Sequence, residues 1–350
     1  MARTIKNIIT LAFLACVIGA NAQDGSTAYN FLNITSSSRI YGLGGQNISL
    51  VDDDLTTADQ NPALMGQEMS GQLAFNYIRY VGSSNFAGVK YAQSVGSHGT
   101  WAASIQYLGY GSMKETDAAG NIIGNFSAQD VCFGGAYSHD ITERLRGGVA
   151  LKMIYSAYAD YSAFALATDL GINYYNPESD MSLSMTVSNL GGQVKRFDES
   201  YDRLPVDVRL GWSQSFSSFP VRFSVTAWNL TKWHLPFYNV GDGTTDEDFV
   251  KKDSFSSNLF RHLVFGADII ASPNWYLGIG YNYKTRTDMS TYSRSFFSGF
   301  SLSAGLIAKN FNVGVAFAQP HKSATTFMLN LTLNLKDLLN RWQPYRPPTP

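Results

Sequence analysis

From Met181 to Ser188 the chain alternates without a break: Met181, Leu183, Met185 and Val187 fall on one side, and Ser182, Ser184, Thr186 and Ser188 on the other. A period of two marks an extended strand with one apolar and one polar face. The same pattern sets Phe327, Leu329, Leu331, Leu333 and Leu335 against Met328, Asn330, Thr332 and Asn334, and Val221, Phe223 and Val225 against Arg222, Ser224 and Thr226. Fourteen such runs follow one another, over 72–80, 85–93, 100–109, 129–138, 145–156, 164–175, 181–190, 206–214, 221–229, 262–271, 275–283, 299–308, 311–318 and 325–335. Many are about ten residues long, more than the five or six usual in soluble sheets and close to what crosses a bilayer at a tilt.

The connections alternate in length. "SVGSHG", "SHDITER", "NPESD", "SFSSFP", "SPN" and "AKN" are short, and between them fall long segments that include 110–128, 191–205, 230–261 and 284–298. Short turns on one rim and long loops on the other describe an outer-membrane barrel. The expected fold is therefore all-β, a transmembrane barrel of about 14 antiparallel strands. An even strand count puts both barrel ends on the short-turn, periplasmic side and the long loops outside. A secreted sandwich or propeller would bury the same apolar faces in a core. Strand length, loop asymmetry and the aromatic residues near strand ends (Trp101, Tyr107, Trp212, Trp275, Tyr281 and Tyr283) speak against it, since Tyr and Trp favour membrane interfaces.

Composition agrees with this reading. Charged residues make up 15% of the chain, against roughly 25% in soluble domains. The formal net charge of -1 excludes a nucleic-acid partner as an expectation. Arg3 and Lys6, the apolar run Ile8 to Gly19 and the pattern Ala20-Asn21-Ala22 read as a signal peptide over residues 1–22. A lipoprotein signal at Cys16 is disfavoured, because Phe13 stands where Leu is usual and the apolar run continues past the cysteine. Cys132 is then the one thiol left, so no disulfide framework is available. The expected divisions are a signal peptide at 1–22, an N-terminal plug or hatch at 23–71, the barrel at 72–336 and a Pro-rich tail at 337–350.

If the apolar face meets lipid, the other lines the lumen and carries Lys90, Asp130, Arg146, Lys152, Asp169, Asp207, Arg209, Arg222 and Asp268. A selective ion pore would show a ring of one sign. Mixed charges beside Gly134, Gly148, Gly171, Gly211 and Gly266 suit a lumen filled by protein. Ahead of the first strand, "VDDDLTTADQNPALMG" has helix starts rather than alternation. Asp53 or Asp54 can cap one short helix, and Asn61 a second with Pro62 at its first position. With Asp52, these residues form the expected hatch motif. The acidic run fits no EF-hand spacing, so capping is the preferred reading.

"YGLGGQNISLVDDDLTTADQNPALMGQ", followed by "LAFNYIRYVGSSNFAGVKYA", resembles the PorQ family of outer-membrane components of the type IX secretion system. "NPAL" at Asn61 to Leu64 resembles the Asn-Pro-Ala motif in the hatch of the FadL-like barrel superfamily. The likeness covers essentially the whole mature chain, and the 41–93 block carries most of its specificity. It implies a fourteen-stranded barrel with a hatch. It also implies a role in holding a PorZ-like surface protein of the attachment complex, alongside PorU and PorV, in a membrane of lipid and lipopolysaccharide.

Catalytic chemistry has no support in the sequence. His98, His139, His234, His262 and His321 are scattered without metal-ligand spacing, and no nucleophile elbow occurs. Cys132 falls mid-strand on the lumen face, where an inert thiol is expected. Acidic Asp242, Asp246, Glu247 and Asp248 read as a solvated loop run. No enzyme activity and no cofactor are expected. Two functions remain: an anchor for a surface protein, or a FadL-like channel for hydrophobic small molecules. Trp233, Leu235, Phe237 and Tyr238 in one loop, with Tyr292 and Phe296 in another, are the candidate partner-binding residues.

Overall fold

The structure, a computed structural model, describes residues 28–80, 82–198, 201–216, 219–235, 238–239, 250–251, 254–288, 296–321 and 324–336. The expected signal peptide and the C-terminal tail lie outside them. Among the described residues, fourteen strands form a closed barrel. They are β1 Gln72–Arg79, β2 Asn85–Val95, β3 Gly99–Thr116, β4 Ile122–Thr142, β5 Leu145–Tyr158, β6 Tyr161–Asn176 and β7 Met181–Lys195. The second half comprises β8 Asp207–Phe216, β9 Phe219–Ala227, β10 Leu263–Ser272, β11 Trp275–Asn282, β12 Phe300–Ile307, β13 Phe311–His321 and β14 Ala324–Asn334. Each pairs antiparallel with the next, and the ring closes where β1 meets β14, from Gln72 opposite Asn334 to Arg79 opposite Phe327. Closure leaves no unpaired edge, which a sheet in lipid requires.

The pleat sorts the side chains as the alternation predicts. Ile105, Leu151, Leu183, Leu277, Leu302 and Leu331 point outward and are exposed, while Asp130, Asp169, Asp207, Arg209 and Asp268 point inward and are buried. An apolar girdle around a closed ring has no core to enter, so lipid is its solvent.

The rims differ from expectation where strands run on into predicted loops: the strand Met181–Lys195 takes the first residues of the loop expected at 191–205. The predicted loop 110–128 is instead an extension of β3 and β4, which pair onward to Thr116 and Ile122. A bulge between Gly109 and Ser112 re-aims the hairpin there, with Gly111 at φ 80. Lys114, Glu115 and Thr116 are exposed, so this part of the ladder lacks the apolar face that marks the spanning part. Its turn is closed by Asp117, which accepts from the Ala119 and Asn121 amides at 2.9 and 2.8 Å. Long connections at 228–262 and 283–299 contain the helices Phe255–Arg261 and Tyr283–Asp288, and Tyr238–Asn239 pairs with Val250–Lys251.

Residues 28–71 lie inside the ring. They meet inward residues on β2, β5, β8, β10 and β14, which lie on different sides of the closed barrel. They form short turns at Asn30–Asn33, Leu55–Ala58, Pro62–Leu64 and Gln67–Met69, and one helix at Ser38–Gly42.

Candidate functional site

Helix Ser38–Gly42 is capped by Ser37, whose Oγ accepts from the Ile40 amide at 3.3 Å. It sits against β11 to β14, where small wall residues make room. A Cβ built at Gly280 would strike the Leu43 carbonyl carbon and the Gly44 nitrogen, and one at Gly314 would strike the Ser38 hydroxyl. Directional bonds fix its position. The Ser38 amide donates to Asn330 Oδ1, Asn330 Nδ2 donates to the Ser36 carbonyl at 2.7 Å, and Ser301 Oγ donates to the Gly42 carbonyl at 3.0 Å.

Arg39 extends from this helix into a charge-balanced cluster. Its Nε donates to Asp268 on β10 at 2.9 Å, a second nitrogen pairs with Asp52, and the guanidinium lies 4.2 Å from the Tyr276 ring centroid. Arg222 completes the set, 3.8 Å from Asp52 and donating to the Val51 carbonyl at 2.7 Å. Burial opposes the Asp52 charge, but Arg39 and Arg222 outweigh it and hold the carboxyl below its ordinary range. Asp52 is therefore a clamp across the hatch rather than a cap.

Asp54, not Asp53, is the cap: its carboxylate accepts from the Thr56 amide at 2.9 Å and from Thr332 on β14 at 3.0 Å. Asp53 is exposed. Asn61 caps the next turn through the Ala63 amide at 2.9 Å, donates to the Ile48 carbonyl at 2.8 Å, and is followed by Pro62 at the first helical position. Gly148 and Gly171 clear the space for this pair, since side chains there would strike Pro62 and Asn61.

A cavity of about 60 Å³ with a mixed polar and apolar lining lies between residues 58–62 and β2 to β8. Lys90, Gln106, Cys132, Lys152 and Asp169 line it. Lys152 pairs with Asp169 at 2.6 Å, and Lys90 donates to the Ala58 carbonyl at 3.3 Å. Leu32 and Ile34 form the other wall and carry the cavity into an apolar cluster. There Tyr29 and Phe31, 0% and 3% exposed, pack among Ile78, Phe86, Leu108, Ile154, Ala165 and Met328. Leu204 and Phe197, from the connection after β7, cover it, and Phe197 stacks on Tyr158 at 4.9 Å. Tyr110 and Tyr158 donate to the buried Asp130 at 2.7 and 3.0 Å. Neither Arg39 nor the Tyr29–Phe31 turn was marked as a site by sequence. The available signal was Arg39 alone, the one basic residue between positions 28 and 71.

The rim residues divide. Trp233 is half exposed, stacked on His262 at 5.4 Å and close to Phe255 at 5.2 Å. Leu235, expected on the docking surface, is buried at 2% exposure, and its carbonyl accepts from Arg261, which also pairs with Asp288. Phe296 is 80% exposed beside Phe297. Phe237 and Tyr292 lie outside the described residues, as does the acidic run Asp242 to Asp248, and Tyr238 contributes backbone to the small strand pair.

No family model matches the sequence, and neither does any curated protein. Solved structures do match. The toluene transporter TbuX of Ralstonia pickettii superposes with a TM-score of 0.51 at 12% identity, over 87% of this chain and 98% of that one. The toluene transporter TodX of Pseudomonas putida gives 0.55 at 9% identity, over 86% and 98%. A FadL homologue of Pseudomonas aeruginosa gives 0.50 at 12%, over 86% and 98%. At such identities the likeness establishes fold alone. Together with the apolar girdle, it makes this chain an integral outer-membrane barrel of FadL-like fold.

Proposed function

We propose that the barrel is a non-catalytic, gated passage for hydrophobic small molecules across the outer membrane, with its long loops facing the medium and its barrel ends periplasmic. The observation that carries this reading is the apolar cluster inside the lumen. Tyr29 and Phe31 against an aliphatic wall, beneath the Phe197 and Leu204 cover, present inside the lumen the kind of apolar surface that a hydrophobic solute meets. Two barrels of the same fold being toluene transporters supports the substrate class. Uptake of a hydrocarbon by cells with and without the chain tests it, and equal uptake would remove it.

A second reading, anchoring of a PorZ-like surface protein with PorU and PorV, rests on the sequence resemblance and on the rim. Phe255, Phe296 and Phe297 are exposed on loops braced by the buried Arg261, and exposed aromatics on a fixed scaffold suit a protein interface. Co-purification of the tagged chain from mild detergent distinguishes the two. Recovery of a stoichiometric surface protein supports the anchor, and recovery of the barrel alone speaks against it.

A further inference from the structure

The helix Phe255–Arg261 is turned inside out. Phe255, Ser256, Leu259 and Phe260 share one face of it, and on that face Phe255 is 71% and Phe260 49% exposed. On the other face Asn258 and Arg261 are 2% and 1% exposed. The charge turned inward is paired: Arg261 donates to the Leu235 carbonyl and to Asp288. A helix facing water places its sides the other way. Polar inside and apolar outside is the arrangement of the barrel strands below it, whose solvent is lipid.

The exposed side is also continuous with the lipid-facing girdle. Leu277, Ile279 and Tyr281 alternate along the outward face of β11, and the Tyr281 ring lies 4.8 Å from that of Phe300 at the head of β12. Tyr283 follows directly after β11, 6.1 Å from the Phe260 ring, and at the other end of the helix Phe255 lies 5.2 Å from Trp233. We propose that this helix lies in the membrane itself, in the leaflet on the long-loop side, with Phe255, Leu259 and Phe260 among the acyl chains just below the headgroups. The partner of this surface is membrane lipid. Short helices with one apolar aromatic face settle at that boundary, where the rings stay in hydrocarbon and the backbone ends meet water. Halfway round the ring, β3 and β4 leave the girdle with Ser112, Lys114, Asn125 and Ser127 exposed. The apolar band is therefore taller over β10 and β11 than over β3 and β4. Lipid contact at the helix is compatible with a passage and with an anchor alike, and it takes Phe255 out of the surface open to a protein partner.

The test uses the purified full chain in dioleoylphosphatidylcholine vesicles, which hold no other protein. A carbene generated by light on the acyl chains marks the residues it meets, and mass spectrometry locates them on the unaltered chain. Phe255 and Phe260 are marked as Phe300 is, and Lys114 to Thr116 are not. A spin label gives the second measurement, placed at Ser256→Cys or at Lys114→Cys with Cys132→Ser in both, and with heat-modifiable gel mobility as the folding check. Relative to the Lys114 label, the Ser256 label loses collisions with an aqueous nickel chelate and gains collisions with oxygen, because a charged or strongly hydrated group is excluded from hydrocarbon. Marks at Phe300 without marks on the helix overturn the proposal. So does a Ser256 label as open to the chelate as the Lys114 label, which is the result for a face kept for water or for a protein partner. Neither measurement depends on solute entry, so failure of the passage reading leaves both outcomes intact.

Discussion

The turn Asn30–Asn33 and the helix Ser38–Gly42 are neighbours in sequence inside the same barrel, yet they meet its wall through different forces. The helix is held by charge and hydrogen bonds, with Arg39 clamped between Asp52 and Asp268 and its ends tied to Asn330 and Ser301. The turn is held mainly by contact between its rings and the apolar wall, with hydrogen bonds from Gln193, Tyr158 and Arg209 at its edges. Buried polar partners must match atom for atom, and removing one strands the other. Apolar partners are interchangeable by size. The first kind of contact fixes where the hatch sits, and the second tolerates exchange of one apolar group for another.

The sharpest way to break this contrast is Asp268→Ala. It leaves Arg39 and Arg222 facing Asp52 alone in a buried site, and a loss of about 3–5 kcal/mol is expected. Protection of the Tyr41 and Leu43 amides from exchange should collapse while the barrel keeps its heat-modifiable gel mobility. Intact protection would mean that the ion cluster does not hold the helix. Next comes Gly148→Val, which drives a side chain into Pro62. A cost of roughly 1–3 kcal/mol is expected from overpacking, against no measurable effect for Gly135→Ala, where a Cβ meets nothing within 4 Å. Thermal unfolding of the two variants reads the difference.

Acid sharpens the same comparison. Asp52 is held below its ordinary pKa, so its contribution is fully present above the unfolded value of about 3.9 and is lost as pH falls through the depressed folded value. Exchange at Tyr41 and Leu43 should accelerate in strong acid in the unaltered chain, and Asp52→Asn should abolish that acid dependence. Asp54 is shifted upward by burial and works in the opposite sense, which makes the Asp52 variant the informative one. The smallest effect is at the rim. Phe296→Ser should change stability by no more than about 0.5 kcal/mol and leave solute binding unaltered. A loss of retained surface protein in that variant would favour the anchor.

The barrel was legible because lipid imposes a one-dimensional code: Met181 to Ser188 states which face is which, and loop lengths state the rims. The wall glycines at Gly148 and Gly171 were also legible as room for protein in the lumen, though not as the seats of Pro62 and Asn61. The code stops where lipid stops. The extension of β3 and β4 past Gly109 alternates no apolar face, and it read as loop. The helix Phe255–Arg261 has a cap at Ser254, with the Ser257 amide donating to its hydroxyl at 3.3 Å, but it is one short element in a long polar connection. The partners of Arg39 could not be read at all, because Asp268 reaches it only after fourteen strands have closed into a ring. Tyr29 and Phe31 carried no local signal for the same reason.

The central claim is the proposed one, that this barrel is a passage for hydrophobic solutes. Uptake into liposomes bearing the purified chain, measured for a series running from benzene to a sugar of similar size, tests it most directly. The account predicts chain-dependent entry of benzene and exclusion of the sugar. Entry of neither solute would contradict it, as would equal entry of both.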